Sequence, residues 1–99
     1  MASRSAVVSV PVTTSAAVRT TACSYNGYSL RAGASGAVIT IYDNASAASG
    51  TVLEVINISA STSVHVYYPE EKGTGGLRAV NGLYFSTNQT VTGSIRVTG

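Results

Sequence analysis

One histidine, one cysteine and four carboxylates are all this chain offers for bond-making chemistry. The carboxylates are Asp43, Glu54, Glu70 and Glu71. A cysteine nucleophile needs a base beside it. The only histidine, His65, sits in the alternating run Ser63-Val64-His65-Val66-Tyr67 with no acid next to it. Cys23 therefore reads as a small buried apolar residue, and alone it cannot form an intrachain disulfide. Glu54 could face His65 across a hairpin, but without a nucleophile that pair performs no reaction. Zinc would need a second histidine or a cysteine beside His65. A hard cation needs about six to eight converging oxygens, and only Asp43-Asn44 and Glu70-Glu71 start to gather them. Asp-Asn at the head of a loop is more simply a turn that caps its own backbone. The expectation is no catalytic residue, no metal, no cofactor and no enzyme.

The remaining chemistry belongs to surfaces. Tyr25, Tyr28, Tyr42, Tyr67, Tyr68 and Tyr84 supply nearly all the aromatic content, and there is no tryptophan. Tyrosine joins a broad apolar ring to a hydroxyl, which suits protein interfaces. It can also stack on sugars, so a glycan-binding module is the alternative. Only 10% of residues are charged, against about 25% in an average domain. A weakly charged exterior repels other copies little and loses little on desolvation. The cations Arg4, Arg19, Arg31, Lys72, Arg78 and Arg96 are spread singly. Nucleic-acid binding needs them clustered, so no nucleic-acid partner is expected. The apolar runs fall far short of the ~20 residues that span a bilayer, so no membrane is expected. The start, Met1-Ala2-Ser3-Arg4-Ser5, followed by a valine run broken by Ser9 and Pro11, reads poorly as a secretory leader. Synthesis in a cytoplasm is expected.

Period-two alternation places these residues on strands. Leu, Lys, Glu and Gln are scarce, and no helical spacing of apolar residues appears, so the fold is expected to be all-β. Val8, Val10 and Val12 alternate with Ser9 and Pro11; the proline restricts this stretch to an edge strand or an arm. Ala17 to Tyr25 reads as a strand, Asn26-Gly27 as a hairpin turn, and Tyr28 to Ala32 as its return. Ala37–Asp43 and Thr51–Ile58 read as a central hairpin around a loop of small residues, with Ile39 and Ile41 facing one way and Val38, Thr40 and Tyr42 the other. In the next strand Val64, Val66 and Tyr68 oppose His65 and Tyr67. Residues 69–76 read as an exposed, mobile loop. Asn81-Gly82 reads as a second hairpin turn, and Thr90 to Thr98 as the last strand, with Val91, Ile95 and Val97 inward. About eight strands at ~10-residue spacing predict one antiparallel β-sandwich, jelly-roll or immunoglobulin-like. The expected division is an extended N-terminal arm over residues 1–15 and a β-sandwich domain over 16–99.

The run from Val38 to Leu53, with its Tyr42-Asp43-Asn44-Ala45-Ser46 core, resembles a segment of small virion proteins of tailed bacteriophages. The later Asn81-Gly82-Leu83-Tyr84-Phe85 and Thr90-Val91-Thr92-Gly93-Ser94-Ile95 are similar to how those proteins end. The resemblance covers roughly the C-terminal two thirds. It implies an all-β capsid decoration or cement protein, often trimeric, that binds the major capsid protein across capsomer junctions. It places the chain on the virion, made in the bacterial host cytoplasm. A tail or head-fibre β-domain binding host-surface glycan or another virion protein is the alternative. For the interface the expectation is Val8, Val10 and Val12 on the arm, with Tyr67, Tyr68, Leu77, Val80 and Leu83.

Overall fold

The computed structural model describes residues 7–68 and 77–98. The expected mobile loop, with Glu70, Glu71 and Lys72, lies outside the described residues, as does Arg4. Among the described residues nine strands follow in order: β1 Val7–Val12, β2 Ala16–Arg19, β3 Cys23–Ala32, β4 Ala37–Asp43, β5 Thr51–Ile58, β6 Ser63–Tyr67, β7 Leu77–Ala79, β8 Leu83–Thr87 and β9 Val91–Thr98. They form two sheets, and every pairing is antiparallel. The five-stranded sheet runs β1-β9-β3-β6, with β7 also on β3; the four-stranded sheet runs β2-β8-β4-β5. This is the two-sheet all-β architecture that the alternation predicts.

The core is a single cluster drawn from both sheets. Tyr25, Leu30, Ile95 and Val97 come from one, and Ile39, Ile41, Leu83 and Phe85 from the other. Each alternates with a more exposed neighbour, so the pleat itself sorts apolar from polar. The expected hairpin Ala37–Asp43/Thr51–Ile58 is present as β4–β5. Of the pair, β4 is central and β5 is an edge. Between Ile41 and Tyr42 the register slips by one residue, so Leu53 is extra on β5. The bulge keeps Glu54 opposite inward-facing Ile41 and turns Val52 outward beside Tyr42.

Both Asn-Gly readings are corrected. Asn26-Gly27 lies inside the ten-residue strand β3. The register against β9 passes from Tyr25↔Val97 to Gly27↔Arg96, leaving Asn26 as a bulge residue. A bulge and a type I′ turn both reward positive φ, and Gly27 has φ +120. Buried Asn26 is satisfied there: its Nδ2 donates to Tyr68 O at 2.9 Å, and the Thr98 hydroxyl donates to its Oδ1 at 2.6 Å. Asn81-Gly82 joins β7 and β8, which belong to different sheets, so it is a crossing rather than a hairpin. At Gly82 a Cβ would stand 2.6 Å from the Arg19 carbonyl oxygen. The single strand expected from Ala17 to Tyr25 is likewise split between β2 and β3, one in each sheet.

The expected arm is also revised in its described part. Val7–Val12 are β1, laddered to β9 in register with Pro11 opposite Ser94. Residues 13–15 then cross to the other sheet, and Thr13 O accepts a hydrogen bond from Val91 N at 3.0 Å. Residues 7–15 are thus an edge strand and its link within the same two-sheet body.

Candidate interaction surface

Among the described residues the reactive side chains are dispersed or consumed by the fold. Cys23 is 1% exposed, and burial pushes its thiol up, which keeps it protonated and inert. His65 is exposed on β6, opposite Ser29. Glu54 turns to the tyrosines instead: Tyr25 OH donates to Oε1 at 2.7 Å and Tyr68 OH to Oε2 at 2.8 Å. Asp43 takes Asn81 N on Oδ1 at 2.8 Å and Val80 N on Oδ2 at 3.2 Å, so it caps the β7–β8 crossing. Asn44 does cap its own turn, accepting Ser46 N at 2.8 Å and Ala47 N at 2.9 Å. Among the described residues no three His, Cys, Asp or Glu side chains gather as a metal site.

The tyrosine–glutamate link ties β5 to β3 and to the end of β6. Burial and then the Glu54 hydrogen bond push Tyr68 up to about 12 and raise Tyr25 further. The unfolded chain ionises its tyrosines near pH 10. The folded state therefore holds protons that the unfolded state has released, and stability must fall as pH rises above about 10. Denaturant midpoints measured from pH 9 upward should decline, with tyrosinate absorbance from Tyr25 and Tyr68 appearing only as the chain unfolds. Complete ionisation of all six tyrosines near pH 10 in a still-folded protein would contradict this.

The eight expected interface residues divide by burial. Val8 at 44%, Tyr67 at 54%, Leu77 at 38% and Val80 at 62% are exposed. Val10 and Tyr68 are half-buried against the core. Val12 and Leu83 are corrected: both lie in the core, at 7% and 0% exposure. Leu83 shares the inner side of β8 with Phe85, and Val12 closes the end of β1 over the core. Tyr67 and Tyr68 point opposite ways, as the alternation requires.

The larger surface is one that residue-by-residue reading passed over. The outer side of the four-stranded sheet carries three cross-strand rows. Ala17, Tyr84, Tyr42 and Val52 form the first, and Ser86, Thr40 and Val55 the second. Asn57 stands beside Val38 in the third, where Asn88 Oδ1 accepts Val38 N at 2.8 Å. No charged side chain stands in any row. Val38, Val52 and Val55 are 41%, 48% and 54% exposed, which joins an apolar stripe to the two half-buried tyrosines. The alternation of β4 already placed Val38, Thr40 and Tyr42 on one side. The partners supplied by β5 and β8 depend on non-local pairing.

Near one end of this sheet the 33–36, 59–62 and 88–90 loops frame a depression of about 300 Å³. Its side chains include Ser35, Asn57, Ser59 and Asn88. Comparison with protein-family models, with curated proteins and with solved structures gave no match to this chain.

Proposed function

We propose that this chain is a structural protein of a tailed-phage particle, a capsid decoration or cement protein that binds the major capsid protein. The observation that carries the reading is the outer side of the four-stranded sheet, whose three cross-strand rows hold no charged side chain; the only charge near them is Arg19 at the end of edge strand β2. Such a face is cheap to desolvate and presents tyrosine and valine, the composition of an interface centre. The strand order supports a jelly-roll sandwich rather than an immunoglobulin-like one. Four strands in the order β1-β9-β3-β6 face four in the order β2-β8-β4-β5, with most successive strands changing sheet. That two-sheet arrangement recurs in viral capsid domains. The resemblance of the Val38–Leu53 segment to small phage virion proteins points the same way.

The mechanism is adhesion. A trimer over a capsomer junction engages several subunits together, and effective concentration turns weak contacts into tight retention. Cosedimentation with purified phage capsids, with copies counted per particle, tests the role; hundreds of copies indicate shell decoration. Val55→Asp places a charge in the middle row. It should leave stability within about 0.5 kcal/mol while reducing occupancy at least tenfold. Undiminished occupancy would remove this face from the contact.

A second reading, a tail or fibre domain binding host-surface glycan, draws on the hydroxyl- and amide-lined depression at the loop end. Glycan-array binding by the isolated protein, abolished by Asn57→Ala, would favour it.

A further inference from the structure

The fold gathers arginines that the sequence scatters. Arg96 on β9 stands opposite Gly27, Arg31 on β3 stands opposite Thr92 and Ser63, and exposed Arg78 on β7 stands opposite Ser24 in the row beyond Arg96. His65 lies in the row between Arg31 and Arg96, opposite Ser29. Leu30, Ala32, Ile95 and Val97 are buried, so their neighbours Arg31 and Arg96 look outward from the five-stranded sheet. Rows on one face repeat about every 6.6 Å, which separates the Arg31 and Arg96 rows by roughly 13 Å. The two described carboxylates are engaged elsewhere: Glu54 by tyrosine hydroxyls, Asp43 by backbone N–H groups. Among the described residues this face carries no negative charge.

Among the described residues Arg96 is also held in place without meeting a carboxylate. Gly27 has no side chain, and the guanidinium lies across β3. Its Nη1 donates to Tyr28 O at 2.9 Å and to Val66 O at 3.4 Å. Carbonyl oxygens fix the position of the cation but leave its charge in full. A pre-positioned guanidinium loses less freedom when it meets a carboxylate.

We propose that the outer face of the five-stranded sheet docks an acidic protein surface, with Arg96 and Arg31 each receiving a carboxylate. Protein surfaces carry isolated carboxylates among neutral polar groups, which fits a few cations spaced by serine and threonine hydroxyls. A nucleic-acid backbone needs many closely spaced cations, which this face does not have. The proposal concerns the sheet opposite the neutral face, so it stands or falls apart from the capsid reading.

The test measures binding of the full chain to an immobilised random glutamate–alanine copolypeptide at low salt, beside polyuronate and duplex DNA. Arg96→Gln and the exposed Arg31→Gln should each weaken copolypeptide binding about fivefold. Arg19→Gln, which removes the same charge from the four-stranded sheet, should change it less than twofold, as should Val55→Asp. Melting curves confirm that each variant is folded, and Arg31→Gln alone decides the matter if Arg96→Gln is not. Equal losses from Arg19→Gln and Arg31→Gln would reduce the effect to net charge and overturn the proposal. So would no binding, or tighter binding to polyuronate or DNA.

Discussion

Phe85→Ala should lower the melting temperature by roughly 15–30 °C, enough to leave little folded protein under assay conditions. Phe85 is 0% exposed on the central strand β8, opposite Ile41 on β4 and Ala16 on β2. It is among the largest side chains wholly enclosed between the sheets. Truncation removes the transfer free energy of the ring and leaves a cavity that paired strands on both sides cannot collapse. The combined cost is about 3–5 kcal/mol, against a total of about 5–15 kcal/mol for a domain of this size. Circular dichroism melts of Phe85→Ala and Val55→Ala separate core from surface. The second should move the midpoint by no more than a few degrees. Similar melts for the two would mean that the sheets do not enclose Phe85.

Gly27→Ala should destabilise the fold by about 3 kcal/mol or more, through backbone rather than packing. At φ +120 an alanine is strained before any neighbour is considered. Its Cβ would also collide with the Val66 carbonyl oxygen, and the Val66 carbonyl carbon would stand only 2.9 Å away. Relief requires β6 to withdraw from β3, and with it the Asn26–Tyr68 hydrogen bonds. Gly33→Ala is the matched control, since nothing lies within 4 Å of its added carbon. That variant should be neutral or slightly more stable, because alanine restricts the unfolded chain. Chemical denaturation of the two proteins makes the comparison. A Gly27→Ala midpoint equal to that of Gly33→Ala would show that β3 does not hold its bulge.

These two residues also mark what could be read in advance. Inward and outward sides were legible wherever the pleat runs undisturbed: Ile39 and Ile41 against Val38 and Thr40, Val64 and Val66 against His65 and Tyr67. Sheet membership was not, because it depends on partners far along the chain. Asn26-Gly27 and Asn81-Gly82 carry the same local preference for positive φ, yet one is a bulge and the other a crossing. Local chemistry fixes the dihedral angle, while the strands on either side decide its use. The surface follows the same division. Low charge was evident from composition. The concentration of neutral side chains on one sheet, and of Arg31, Arg78 and Arg96 on the other, arises only when β3 meets β7 and β9 and β4 meets β5 and β8. Leu83 and Val12 were misplaced for the same reason, since alternation names a side without saying what covers it.

The position of β9 has a consequence for synthesis. It follows every other strand among the described residues, yet it fills the slot between β1 and β3. Until it emerges from the ribosome, β1 and β3 have open flanks and the core lacks Val91, Ile95 and Val97. Completion of that sheet must therefore wait for β9 and is slowed by distant closures, and a nascent chain stalled before Val91 should be prone to aggregate.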